Sequence, residues 1–438
     1  MATIGLLLNF LVVPFFLSTF VFGYSPNEVK QWCSQTPNPQ PCEYFLSNNS
    51  NPTYQAQSIN QKSDFLKISL QLARDRALIE HANILSLGSE CRNQLERVAW
   101  NDCVELYELT IHKLNKILDP KTKYTQFDVQ TWLSAALTNL ETCKDGFNEL
   151  GVQDNLLPLI MSNNVTELLS NTLALNSNNG GESHLHQESS YHHYKDGFPT
   201  WVKQSDRKLL QASSPVSEAN VVVAKDGSGK YTTVTAAIND VPKNGSESFE
   251  GYQDTLYVHA HKQFYRECDI YGTVDFIFGD ASAVFQNCNI YARNPPNKTN
   301  TITAQGRTNL NQTSGIIIDN CVVTSAPDLK AAVPGSVKTY LGRPWKEYSR
   351  TVFINSFLDS LIDPACWSEW NNSDFALNTL YYGEYMNKGP GSSTANRVNW
   401  SGYHVITNET EALQFSVGNF IDGNSWLPST HVPFNITI

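Results

Sequence analysis

Four short segments of the chain repeat one another: YRECDI (265–270), FQNCNI (285–290), IDNCVV (318–323) and, more loosely, FINSFL (353–358). Each begins on an aromatic or aliphatic residue, passes through a mostly polar pair and returns to apolar side chains. Successive copies are offset by 20, 33 and 35 residues, which fits a coil of constant cross-section whose loops lengthen on one side. From Val221 onward the surrounding texture is short β-rich segments separated by Gly, Asn, Asp and Pro turns, with no amphipathic helix of any length between them. A parallel β-helix carries this signature, and a β-sandwich is the alternative. The cysteines favour the coil. Cys268 and Cys288 hold the same position in successive copies, stacked rungs lie about 4.8 Å apart, and a disulfide tolerates such a Cα separation. The coil therefore predicts a Cys268–Cys288 bridge.

The first half reads differently. From about Ser25 to Leu175 the apolar residues recur at helical spacing, as in DFLKISLQLARDRALIEHANIL and CVELYELTIHKLNKIL, while strand-like alternation is scarce. Cys33 pairs with Cys42 across a short loop holding three prolines, Cys103 with Cys143 staples two helices, and Cys91 is the spare among nine cysteines. Residues 176–215 then turn rich in Asn, Gly, Ser and His and lose all apolar periodicity, as a linker does. His184, His186, His192 and His193 fall in it without a Cys or carboxylate frame, so a solvated linker is expected there and no metal site. At its end, SDRKLLQASS sets Arg207-Lys208 and two leucines in a polar stretch that suits a processing protease. A plain charged connector is the alternative.

The N-terminus is apolar from Ile4 to Phe22. With Gly23 following and Val21 two positions before it, residues 1–23 read as a secretory signal peptide. A membrane anchor is the competing reading, because the run approaches spanning length. Nine Asn-x-Ser/Thr sequons, at Asn48, Asn164, Asn244, Asn297, Asn311, Asn371, Asn399, Asn408 and Asn435, fit a secreted glycoprotein. The formal net charge of −11 argues against nucleic acid or an anionic membrane as the main partner, since both require a basic surface. With 41% hydrophobic and 17% charged residues, the chain has enough apolar side chain for sizeable cores.

Two aspartates carry the chemistry. Asp254 in GYQDTLY and Asp275 in GTVDFIFG sit among aromatic and β-branched residues, 21 residues apart. If a rung takes about 20 residues, they lie on neighbouring rungs and on nearly the same face. Two carboxylates held close cannot both ionise easily, so one site holds a proton donor and a charged nucleophile or base. Turn-capping aspartates are the alternative. In TYLGRPWKEYSR, Arg343 can hold an ionised carboxylate by a two-pronged hydrogen bond, and Trp345 offers a flat face for a sugar ring.

The motifs CSQTPNPQPCEYFL, NDCVELYELTIHKLNKIL and SAALTNLETCKDGF resemble the four-helix domain of the plant invertase and pectin methylesterase inhibitors. GYQDTLY, GTVDFIFG, TAQGRT, TYLGRPWKEYSRTV and LYYGEY resemble the plant pectin methylesterases, almost without gaps from Phe249 to about Thr430. The implied architecture is an all-α four-helix bundle over 25–175 followed by an all-β right-handed parallel β-helix over 219–438. The resemblance implies that Asp275 is the nucleophile on the methyl ester of galacturonate, Asp254 the general acid and then base, and Gln253 an oxyanion-hole amide. It likewise implies that Arg343 orients the nucleophile and Trp345 contacts the sugar, with no cofactor. Implied partners are methylated homogalacturonan in the cell wall, a protease cutting after Leu210, and another pectin methylesterase or an invertase for the helical domain. One departure stands out. Around 244–249 the chain passes through GSES directly to FEGYQDTLY, omitting rungs that in the family carry a G-x-Y-x-E motif and a second oxyanion-hole Gln. Losing such a donor costs about 10² to 10³ in rate, which leaves an inactive inhibitor-like or pectin-binding protein as the alternative function. Cys366, where the family commonly has Gly, is a smaller departure.

Overall fold

The computed structural model describes residues 26–47, 59, 61–177, 194–195, 198–199, 248–333 and 335–438. The expected leader 1–23, the histidines of the expected linker, the candidate cleavage sequence 207–210, residues 244–247 and the sequons at Asn48 and Asn244 lie outside the described residues.

The N-terminal part is helical: α1 (Pro26–Cys33), α2 (Pro39–Ser47), α3 (Lys62–Ser86), α4 (Gln94–Leu118), α5 (Gln126–Glu149) and α6 (Val165–Ser177). The long helices start on side-chain caps. Asn93 accepts from the Glu96 N–H at the head of α4, and Thr125 with Asp128 forms a capping box at the head of α5. Their inner faces, including Phe65, Ile68, Tyr107, Leu114, Leu133, Leu140 and Phe147, make one core. Disulfides Cys33–Cys42 and Cys103–Cys143 tie α1 to α2 and α4 to α5, with Cα separations of 5.6 and 4.7 Å, and Cys91 is free.

From Ser248 the chain winds through parallel strands: β1 (Ser248–Glu250), β2 (Leu256–Tyr257), β3 (Lys262–Arg266), β4 (Asp269–Gly272), β5 (Val274–Gly279), β6 (Ser282–Gln286), β7 (Asn289–Ala292), β8 (Thr299–Gln305), β9 (Gly315–Asp319), β10 (Val322–Ser325), β11 (Lys338–Gly342), β12 (Arg350–Ile354), β13 (Phe357–Leu358), β14 (Tyr381–Tyr385) and β15 (Tyr403–Val405). They form three sheets, ordered β2-β5-β8-β11, β3-β6-β9-β12-β14-β15 and β1-β4-β7-β10-β13. Hydrogen-bonded neighbours are mostly three strands apart in sequence, so each turn of the chain contributes one strand to each sheet. That is a parallel β-helix. Aromatic side chains stack down the coil at rung spacing, Tyr265 on Phe285 and Tyr271 on Tyr291, both with centroids 4.4 Å apart. A separate apolar layer, with Val417, Phe420 and Ile421 from C-terminal helical turns, covers the outer face of the six-stranded sheet at Val284, Ile317 and Val352.

The six-residue repeat marks one corner of this coil. Glu267, Asn287, Asn320 and Asn355 all have φ between 50° and 58°, the left-handed conformation that Asn reaches more cheaply than most residues. Asn320 also donates its amide to Asn287 Oδ1 at 2.9 Å, stacking the corner from rung to rung.

The residues just after this corner are Cys268, Cys288, Cys321 and Ser356, and here the expectation of a Cys268–Cys288 disulfide is corrected: both are buried thiols, not joined to each other by a disulfide. In a parallel in-register ladder the Cα–Cβ vectors point the same way, so the β-carbons keep the rung spacing of about 4.8 Å. A disulfide sets that distance near 3.8 Å, and the Cα separation alone was an insufficient test. The thiols instead hydrogen-bond along the coil, Cys288 Sγ to the Tyr265 carbonyl at 3.5 Å and Cys321 Sγ to that of Phe285 at 3.4 Å. Burial pushes the Cys288 thiol well above its ordinary value.

Candidate active site

Strand pairing sets the geometry of the two aspartates. Leu256 on β2 faces Ile277 on β5, an offset equal to that between Asp254 and Asp275, so both occupy one register on adjacent rungs. The Asp254 N–H donates to the Val274 carbonyl at 3.0 Å. On its other side β5 meets β8 with a shift: Thr301 faces Val274, but Thr303 faces Ile277. Asp275 and Phe276 therefore oppose the single residue Ile302. This is a β-bulge, a device that re-aims a side chain, and Asp275 sits in it at φ 53° beside Asp254 at φ 55°.

The environments of the two carboxyls differ. Asp275 is buried, 5% exposed. Arg343, just past the end of β11, donates Nε to its Oδ1 at 2.8 Å and Nη2 to its Oδ2 at 2.6 Å. Thr301 Oγ1 adds a third hydrogen bond to Oδ1 at 2.6 Å. Arg343 thus meets both carboxyl oxygens in a two-pronged, charge-assisted pair. Asp254 is open to solvent but hemmed by protein. That desolvation, then the charges of Asp275 and Glu149, pushes its carboxyl up to about 6, against the opposing pull of Arg343 and a hydrogen bond from Gln253. The pair thus holds a carboxylate and, beside it, a carboxyl that keeps its proton into mildly acidic solution.

Aromatic residues line the same face. Tyr257 stacks on Phe278 with centroids 4.6 Å apart, and Trp345 meets Phe278 edge-on at 5.9 Å. A β-carbon on Gly306 would fall 2.8 Å from the Trp345 ring, so the indole's seat requires glycine there. Trp370 lies under the Arg343 guanidinium at 4.5 Å, a cation–π contact on the group that binds Asp275. All five residues singled out from the sequence for chemistry fall on this one face. Thr301 and Trp370 were missed. Thr301 lies two residues before TAQGRT, and only the strand pairing reveals what it touches.

The helical part packs against this face through α5. Gln130 Nε2 donates to the Asn311 carbonyl at 2.7 Å, and Thr138 Oγ1 to Asp280 Oδ2 at 2.7 Å. Thr142 Oγ1 meets His259 Nε2 at 3.0 Å, and Asp145 pairs with Lys346, next to Trp345, at 2.8 Å. Glu149 ends the helix within electrostatic reach of Asp254. Asp280 is the centre of this contact: Gln305, Gln312 and Ser314 also donate to its carboxyl, which burial pushes up to about 6.

Comparison with known proteins matches residues 245–424 to the Pectinesterase family and residues 27–175 to the Plant invertase/pectin methylesterase inhibitor family. The chain is similar to Pectinesterase 2 of Citrus sinensis, at 51% identity over 521 aligned positions covering 98% of each chain. It is also similar to Probable pectinesterase/pectinesterase inhibitor 17 of Arabidopsis thaliana, at 45% identity over 99% of each. Among solved structures, the pectin methylesterase from carrot is 36% identical over 50% of this chain and 98% of that one, with a TM-score of 0.43. The 521 positions aligned to the citrus protein exceed the 438 residues of this chain, so at least 83 of them (521 less 438) have no residue here.

Proposed function

The chain belongs to the pectinesterase family and carries that family's inhibitor-like helical domain, and on that premise we propose how its residues divide the work of hydrolysing pectin methyl esters. The enzyme is a carboxylic ester hydrolase. Asp275, charged and aimed by Arg343 and Thr301, attacks the carbonyl carbon of a galacturonate methyl ester. The carbonyl oxygen takes up the negative charge beside the Gln253 amide. Collapse of the tetrahedral intermediate breaks the bond to methoxide, which leaves as methanol with the Asp254 proton. An acyl-enzyme anhydride on Asp275 remains. Asp254, now a carboxylate, takes one proton from water as its oxygen attacks; collapse frees Asp275 as the carboxylate and releases galacturonic acid, which gives its remaining proton to solvent. Tyr257, Phe278 and Trp345 offer faces to the sugar rings.

The observation that carries this reading is the in-register pair of aspartates, one gripped by a two-pronged Arg343 and one with its carboxyl raised to about 6. Methanol release from methylated homogalacturonan by the purified protein tests it. Asp275→Asn removes the nucleophile's charge while keeping its shape, and should abolish the rate.

Because α5 lies along the catalytic face, the helical domain restricts entry of a polymer until the connection between the domains is cut, for which Arg207–Leu210 is the proposed site. The same α5 face is engaged within this chain, so binding of a separate pectinesterase or invertase requires it to undock first. Secretion to the cell wall, with residues 1–23 as leader, completes the proposal. Among the described residues no helix is long and apolar enough to cross a membrane. The positions missing relative to the citrus protein correspond in this reading to rungs upstream of β1, with 219–438 forming a shortened catalytic domain.

A further inference from the structure

The turn that carries Gln253 and Asp254 stands at the very end of the described coil. β1 and β2 are terminal strands of their sheets, so among the described residues this turn is supported by the rungs that follow it. Its backbone is tied downward: the Gly251 N–H donates to the Tyr271 carbonyl at 3.2 Å, the Tyr252 carbonyl accepts from Thr273 at 2.7 Å, and the Asp254 N–H donates to Val274. A coil-end turn with Asp254 in the left-handed region is held by few contacts, and local opening concentrates in such places.

One side chain reaches it from two rungs away. Arg293 follows β7, where its own N–H donates to the Gly272 carbonyl at 2.8 Å. From there its guanidinium passes the intervening rung, donates Nη1 to the Gly251 carbonyl at 3.0 Å and Nη2 to the Tyr252 hydroxyl at 3.2 Å, and lies 4.1 Å over the Tyr252 ring. Behind it, Asp328 approaches Nε at 3.6 Å, and Asn300 donates to the Arg293 carbonyl at 3.0 Å. The brace is anchored at both ends. It grips the two residues that immediately precede Gln253 and Asp254, using hydrogen bonds and a cation–π contact that a lysine cannot reproduce together.

We infer that Arg293 is a positioning residue for the esterase reaction: it fixes the Gly251–Asp254 turn against the next two rungs and so sets where the Asp254 carboxyl and Gln253 amide stand relative to Asp275. Arg293 touches no reacting atom. The inference rests on the proposed roles of Asp254 and Gln253, and the test therefore has one arm that does not depend on activity.

In the full chain, Arg293→Ala should lower kcat for methanol release by about 10- to 100-fold, the order expected when a catalytic group is misplaced by about an ångström, with KM changed less than threefold. The alkaline fall of kcat/KM should move to lower pH as Asp254 becomes better solvated. Arg293→Lys should recover only part of kcat, and Tyr252→Phe, which keeps the ring but removes the hydroxyl acceptor, should fall between parent and Arg293→Ala. In hydrogen exchange, the amides of 251–255 should exchange at least tenfold faster in Arg293→Ala, while those of β6 and β7 stay at the parental rate. A parent without esterase activity would overturn the catalytic reading and leave the exchange arm to decide the brace. Unchanged exchange at 251–255, a kcat within twofold of the parent, or equal loosening of β6 and β7 would overturn the inference.

Discussion

Replacing Arg343 tests the proposal that it prepares Asp275 as the nucleophile. Its guanidinium supplies two of the three side-chain donors to an Asp275 carboxylate whose side chain is 8% exposed, at 2.8 and 2.6 Å. With alanine there, only Thr301 Oγ1 remains on that carboxylate, and breaking a buried charge pair by removing one partner costs ~3–5 kcal/mol. Part of that cost appears as lost stability and part as lost rate, because the carboxylate either shifts toward water or accepts a proton. Arg343→Ala should therefore lower kcat/KM by at least about 100-fold, equivalent to ~2.7 kcal/mol at 1.36 kcal/mol per tenfold. Arg343→Lys keeps a positive charge but not the fork. Losing one hydrogen bond to a charged group, ~1.5–3 kcal/mol, corresponds to a fall of about 10- to 150-fold. Initial rates of methanol release across substrate concentration, with urea unfolding of each variant, separate the two contributions. A lysine variant within threefold of the parent would show that charge alone suffices, and an alanine variant within threefold would refute the role of the pair.

The pH profile follows from Asp254. In the proposed mechanism its protonated form is the acid, and its carboxyl is raised to about 6, so kcat/KM should fall as pH rises through about 6. Glu149→Gln, which removes one of the like charges, should move that fall to lower pH. Thr138→Val deletes the hydroxyl that α5 donates to Asp280. At ~1.5–3 kcal/mol for a hydrogen bond to a charged group, it should loosen docking and raise the activity of the uncut chain relative to the cut one, measured as the ratio of the two rates. Titration of the denatured, unreduced protein with a thiol reagent should count five thiols, those of Cys91, Cys268, Cys288, Cys321 and Cys366. Three would restore the Cys268–Cys288 bond.

The coil was legible in the sequence because a rung of fixed circumference forces the same kind of residue to recur at one corner, and the Glu or Asn of YRECDI, FQNCNI and IDNCVV is that corner, with the Cys just after it. The aspartate pair was legible for the same reason, since 21 residues is one circuit. The bulge that aims Asp275 was not, because it exists only in the mismatch between β5 and β8. Thr301, Trp370 and Arg293 act through partners 26, 27 and 42 residues away, distances no local pattern reports. The Cys268–Cys288 expectation failed on side-chain direction, which position in a repeat does not specify. Cys366 shows the converse: the sequence marked it as a departure from Gly, and its φ of 70° in a fully buried site explains why Gly suits that position.

The ester hydrolysis proposed for this pair of aspartates is tested most directly by the initial rate of methanol release from highly methylated homogalacturonan, measured on the full chain and on the same chain cut between its domains, each beside its Asp275→Asn counterpart. Release by the parent, faster after cutting, is expected, with only background from Asp275→Asn. A parent no faster than Asp275→Asn in both forms would contradict it.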